Sequence, residues 1–444
     1  MTTLDSQATA DPSPPGSTLT IINATDAGGV DAEISITIEN GLIKSVVESS
    51  GDSAHEAASG SKGNSTVLDA KGQAISAGFI DCYARMRDPG FEKKGNIASE
   101  SRAAALNGFT TVLCSPDTDP VIDEAATVEL IKRKARDTAH AKILPLAALT
   151  RGLEGELLSE LATLKAAGCI AASNADRPIT DLQVLRSCMD YARTFGVVMV
   201  VNPVDVWLAG NGCAHEGATA TRLGLPAIPV AAETVALSML IELTWQTGAR
   251  IHFSRITSAR GAEMIGKAKR EGLSISADTS INHLHYDDTC VETFDSQYRS
   301  VAPFRDSKDR DGLREAIADG TIDCICTDHA PHERDAKLAP FPSAEPGISG
   351  FDTFLPLLLK LQIESGIPLS RLLHCVSAAP AEIFGLTQGR LEAGSPADLV
   401  IFNRDAEYVL QAGAMNSAGK NTPLLEEKLS GRVEHALVDG RLLS

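Results

Sequence analysis

No run of about 18 consecutive apolar residues occurs in the chain, so no segment is long and apolar enough to cross a bilayer as a helix. The opening residues, MTTLDSQATADPSPPG, lack the basic start and apolar stretch of a targeting segment, and a cytoplasmic protein is expected. Basic residues are scarce: 40 stand against 58 acidic ones, a formal charge of -18. That balance repels phosphate backbones and anionic lipid surfaces, which excludes nucleic acid and membrane as expected partners. No CxxC pair is present among the nine cysteines, an odd number scattered singly, so neither a disulfide framework nor a cysteine-built zinc site is expected. The closest two, Cys324 and Cys326 in the alternating run TIDCICTD, share one strand face and read as buried, reduced thiols. GxSxG, Walker A and dinucleotide-binding GxGxxG motifs are missing, and with them the hydrolase and nucleotide chemistries they serve. There is no tandem repeat.

What is there suits a folded protein: 43% hydrophobic and 22% charged residues over 444 positions, enough for a sizeable core. Residues 1–17 are polar and proline-containing, and read as a disordered tail. TLTIINAT, AEISITIENGLIKSVVES and STVLDAKGQAISAG read as short strands, with Asn40-Gly41 a hairpin signal. A polar insertion, SSGDSAHEAASGSKGNS, interrupts them. Beyond Gly78 apolar runs alternate with helical stretches: GFIDCYARM, FTTVLCSP, AKILPLAAL, GCIAASN, VVMVVNP, ARIHFSRIT, LSISADTS and TIDCICTD. Eight such units imply an α/β fold, a (β/α)8 barrel of parallel strands. After Leu386 the β texture returns, and the two flanking β segments are expected to pair as one discontinuous small domain. The expected division is 18–72 and 386–444 for the β-domain and 73–385 for the barrel.

Reactive groups of such a barrel sit at the C-terminal ends of its strands. There the chain reads GFIDCYARMRDPGF, FTTVLCSPDTDPVID and TDHAPHERDAK, with APFPSAEPGISGFDTFLPLLL, GRLEAGSPADLVIFN and NTPLLEEKLSGRV further on. These segments resemble the long dihydroorotases of the amidohydrolase superfamily, over roughly residues 18 to 444. The resemblance implies reversible closure of carbamoyl-aspartate to dihydroorotate by one or two zinc ions. Such a centre needs neutral imidazoles and carboxylates about 2.0 to 2.2 Å from the metal.

The family's ligand pattern is not met. Its first-strand His-x-His falls on Tyr83 and Arg85, and a guanidinium has no lone pair for a cation. Its fourth-strand bridging ligand falls on Asn174 or Ala175, with Asp176 reaching the site only by a one-residue shift. Its fifth- and sixth-strand histidines fall on Asn202 and Arg255. His252, three residues before Arg255, has the opposite pleat parity and is expected to point away from the barrel axis as a packed histidine. Asp328 survives as the eighth-strand carboxylate and, with zinc expected to be absent, reads as an ion-pair partner of Arg85 and Arg255. Of the positions that grip substrate in the family, Arg87 and His332 persist. Asp117 replaces an Asn and would repel an anionic substrate; Val301 replaces another. His283 and His285, an H-x-H near Asp287, read as structural.

The resemblance extends to bacterial dihydroorotase-like proteins that lack the zinc ligands and assemble with aspartate carbamoyltransferase. It implies a pseudoenzyme of pyrimidine biosynthesis, a homodimer within a larger hetero-oligomer. Two other readings stay open at this point. One is an active cyclic-amide hydrolase with displaced ligands, and the other a small-molecule binding module using Arg87 and His332.

Overall fold

The computed structural model describes residues 18–29, 32–48, 65–138 and 140–443. The tail over 1–17 and the insertion between the third and fourth strands lie outside the described residues. All eight barrel strands fall within the runs read from sequence: Phe79–Ala84, Phe109–Cys114, Lys142–Ala148, Ala171–Ser173, Val198–Val201, Ile251–Phe253, Ile275–Ser280 and Cys324–Cys326. Each pairs in parallel with the next. The ring closes where the Arg85 amide donates to the His329 carbonyl at 2.9 Å, next to a parallel bridge between Ala84 and His329.

The strand ends are punctuated by residues that fix where each helix starts. Asn96 caps the helix Ile97–Leu106 in a reciprocal capping box with Ser99. Asp181 caps Leu182–Phe195, and Ser258 caps Ala259–Arg270. Each supplies a side-chain oxygen to an otherwise orphaned helix N–H. Inside the barrel, Ile80, Cys82, Leu113, Leu146, Val198, Val200, Cys324 and Cys326 pack together, and Phe384 closes the end below them. Outside, Phe79, Phe109 and Phe354 meet edge-on or tilted at ring distances of 4.8 to 6.2 Å. They fasten the first two strands to the helix Phe351–Ser365.

The small sheet joins both ends of the chain. Leu399–Val409 runs antiparallel to Ala74–Ala77 with Leu399 opposite Ala77, and carries Lys428–Val438 and Arg441–Leu443 beyond it. On the other side lie Thr18–Asp26, Glu33–Glu39 and Leu42–Glu48. The Asn40-Gly41 turn has φ of +51° and +78°, the double left-handed geometry of a type I′ hairpin that these two residue types tolerate. Because Ala74–Ala77 belongs to this sheet, the barrel begins at Gly78 and not at residue 73.

Candidate functional site

Three side chains, those of Arg85, Arg255 and Asn202, meet at the C-terminal mouth of the barrel around the carboxylate of Asp176. Asp176 binds the guanidiniums of both Arg85 and Arg255 in short ion pairs and accepts from Asn202 Nδ2 at 3.2 Å. Asp328 lies 3.1 Å from Arg255 and 3.8 Å from Arg85. Asp117 accepts from Arg85 Nε at 2.9 Å. Tyr83 forms the floor: the centre of the Arg255 guanidinium stands 4.3 Å from its ring centroid and that of Arg85 5.4 Å, cation–π contacts that hold both cations. The Ser115 hydroxyl donates to the Tyr83 oxygen at 2.7 Å. Both arginines, Tyr83 and Asp328 are buried, while the Asp176 side chain keeps 27% exposure.

Two cations thus stand against three carboxylates, and the charges set each other's protonation. Burial pushes the Asp176 carboxyl up, but the Arg255 and Arg85 guanidiniums overcome this and hold it well below the usual carboxylate range. Burial pushes the Asp117 carboxyl up too, but the Arg85 guanidinium beside it overcomes this and lowers it. For Asp328 burial wins over the two arginines and its pKa is raised. Burial pushes the Tyr83 phenol up, so it stays neutral.

The backbone explains how residues from different strands converge. Ala175, Arg255 and Asp328 adopt left-handed φ of +52°, +61° and +48°, as does Arg87 at +60°. Such conformations are costly for residues with a Cβ and cluster at functional sites of folds. Past the fourth strand, the turn at Ala175 brings Asp176 to the axis. Asn174, expected at the centre, is turned away: its amide oxygen accepts from the Thr150 hydroxyl at 2.8 Å and its nitrogen donates to the Arg177 carbonyl at 2.7 Å. The fourth-strand residue of the cluster is therefore Asp176. His252 is a second correction. It faces the barrel interior, donating from Nε2 to Asp278 at 2.8 Å and packing edge-on against Phe384. Parity counted from 255 fails because Arg255 itself is not extended.

Asp117 also differs from expectation, since its charge is committed to Arg85. Arg87 and His332 come together, with Nη2 and Nε2 3.1 Å apart, and Arg87 Nε donates to the Pro331 carbonyl at 3.1 Å. Burial and then Arg85 lower the Arg87 pKa to about 10, and burial and then Arg87 lower that of His332 to about 3. Val301, half-buried in the loop after the seventh strand, brings only an apolar side chain. His283 and His285 diverge: the first pairs with Ser280 at 2.8 Å and the second reaches the Leu357 carbonyl at 2.9 Å.

The donor set does not fit zinc. Two guanidiniums without lone pairs occupy ligand places, the phenol is neutral, and the carboxylates are consumed by ion pairs. Among the described residues one group of metal-type donors, Cys82, His252 and Asp278, lies within 4.8 Å of one another. It sits in the closed barrel interior. Asp278 there also accepts from the Arg255 amide at 2.6 Å, and Cys326 donates to it at 3.3 Å. Its polar atoms hold strand ends together.

Residues 72–261 match the family described as Dihydro-orotase-like and residues 279–443 the Amidohydrolase family. A dihydroorotase-like protein of Pseudomonas putida is 44% identical over 85% of this chain and 89% of its own length. The chain belongs to the dihydroorotase-like family. A dihydroorotase of Syntrophotalea carbinolica is 38% identical over 94% of this chain and 96% of its own. In fold, this dihydroorotase-like protein superimposes on an L-hydantoinase of Arthrobacter aurescens with a TM-score of 0.83 at 22% identity, over 96% of each chain.

Proposed function

We propose that this dihydroorotase-like chain is catalytically inactive and serves as a structural subunit that assembles with aspartate carbamoyltransferase. The observation that carries this reading is the closed charge cluster at the barrel mouth. In the family's chemistry a metal and its activated water would have to stand where Arg85, Arg255 and Asp176 now neutralise one another. A dication placed there would face two fixed positive charges and find no imidazole.

The same cluster supports a role in keeping the fold. Each guanidinium is covered by an aromatic ring and at least two carboxylates, so the strand ends that a metal would cross-link are cross-linked by salt bridges. A barrel held in this way retains its outer surface for binding another protein. In this reading the protein works in pyrimidine biosynthesis, as a cytoplasmic homodimer within a larger hetero-oligomer and without a bound cofactor.

Co-expression with an untagged aspartate carbamoyltransferase tests the proposal. The two chains are expected to elute as one complex, and removal of this chain is expected to lower the transcarbamoylase's assembly size or activity. Separate elution, with transcarbamoylase size and activity unchanged, contradicts it.

A further inference from the structure

Backbone ladders join each barrel strand to the next, but among the described residues none joins the first to the eighth, where a single bridge stands between Ala84 and His329. A side chain spans that seam. Asp81, on the first strand, accepts through Oδ1 from the Thr327 amide at 3.1 Å and the Tyr83 amide at 3.4 Å, and its Oδ2 makes a short hydrogen bond with the Thr327 hydroxyl. Thr327 Oγ1 in turn accepts from the His329 amide at 2.9 Å. The Asp81 side chain is 0% exposed, and no cation among the described residues lies within ion-pair distance of it. His252 is taken by Asp278, and Arg85 and Arg255 by the carboxylates above. The packed elements supply no other. Their titratable groups are Cys114 on the second strand, Asp278 on the seventh, Cys324 and Cys326 on the eighth, and Asp328 just past Thr327. Over the seam, the helix Leu369–Val376 turns the Cys375 thiol inward, leaves His374 exposed and commits Arg371 to the Ile317 and Ile322 carbonyls. Ala378–Phe384 carries only the exposed Glu382. The thiols, with Cys82 beside Asp81, are all raised and neutral.

We propose that Asp81 is a proton-held suture: with its proton in place the carboxyl closes the barrel between the first and eighth strands, and loss of that proton loosens the seam and the arginine cluster above it. A buried carboxylate without a cation is costly, and water entering an opened seam relieves the cost. Burial pushes the Asp81 carboxyl up to about 7, against the bonds from Thr327 and Tyr83, and the Asp278 charge adds to the rise. The folded value stands above the ordinary carboxylate pKa of about 4. The contribution to stability is therefore complete below that ordinary value and is lost as pH rises through about 7. Both ends of the suture adjoin the cluster: Tyr83, its floor, lies two residues on from Asp81, and Asp328 follows Thr327. An opened seam moves both.

Neither a partner nor a metal enters this switch, so its failure leaves the scaffold reading untouched. Amide hydrogen exchange on the full chain, read as protection relative to the intrinsic rate at each pH, reports the seam through peptides covering 79–86 and 324–330. Between about pH 5.5 and about pH 8 the wild type is expected to lose protection there at least about tenfold. Asp81→Asn keeps a hydrogen-bonding side chain without a titrating proton, and is expected to hold its protection over that range with an unchanged circular dichroism spectrum. Asp328→Asn is expected to retain the wild-type fall. Constant protection in the wild type overturns the proposal, as does a folded Asp81→Asn that still loses protection, or a fall that disappears in Asp328→Asn. If Asp81→Asn fails to fold, Thr327→Val decides. It removes one donor to the anion, so the fall is expected at higher pH, and a fall at the same or a lower pH overturns the assignment.

Discussion

Asp176 carries two guanidiniums, and removing it would leave Arg85 and Arg255 buried with one fewer anion between them. Breaking a buried pair by deleting one partner costs about 3 to 5 kcal/mol, and partial exposure of this carboxylate places Asp176→Ala near the lower end. Urea denaturation at neutral pH is expected to show a loss of about 3 kcal/mol. The pH dependence has a definite sign. The folded-state pKa of Asp176 is depressed, so its contribution is present above the ordinary carboxylate pKa of about 4 and is lost as pH falls towards the lower folded value. Asp328 runs the other way: its raised pKa favours the fold in acid, an advantage lost as pH rises through that value. Asp176→Ala is therefore expected to flatten the acid side of the stability profile, and an unaltered profile would contradict the assignment. Tyr83, Arg85, Asn202 and Arg255 were legible as a group because they interrupt a recognisable ligand pattern, and Asp328 because it keeps its place in that pattern. Asp176 and Asp117 were not placed as partners of the arginines, although a charge count gave the signal: two buried arginines need more than one carboxylate.

The eight barrel strands and the returning β segment were readable because apolar runs of strand length recur between capped helices, and that periodicity is a local property. What escaped was the geometry just past each strand. Alternation of faces holds only while the backbone stays extended, and Ala175, Arg255 and Asp328 leave it at left-handed φ. The inward His252 and the central Asp176 follow from those kinks, which sequence periodicity does not encode. Contacts between distant elements were equally hidden. Glu100, buried in the first turn of Ile97–Leu106, accepts from the Ser417 hydroxyl at 2.6 Å and the Ala418 amide at 3.0 Å, and pairs with His329 Nε2 at 3.0 Å. It ties the first helix, the segment after the eighth strand and the C-terminal loop together. Glu100→Ala is expected to cost about 3 kcal/mol or more, since several donors are left buried without an acceptor. Proteolysis should then cut first in the loop around Ser417, and a variant as stable and protease-resistant as the parent would refute this role.

At the scale of the whole molecule, a dihydroorotase-like barrel is preserved with its terminal β-domain, and its C-terminal mouth holds two arginines, three carboxylates and Asn202 in one cluster. These groups come from the ends of strands one, two, four, five, six and eight, so no single substitution undoes the cluster. Zinc content and dihydroorotase turnover, measured together on the purified protein and on Arg85→His and Arg255→His, test this most directly. The account predicts less than about 0.1 zinc per chain and no turnover in all three. One or two zinc ions per chain with turnover of dihydroorotate in the unmodified protein would contradict it.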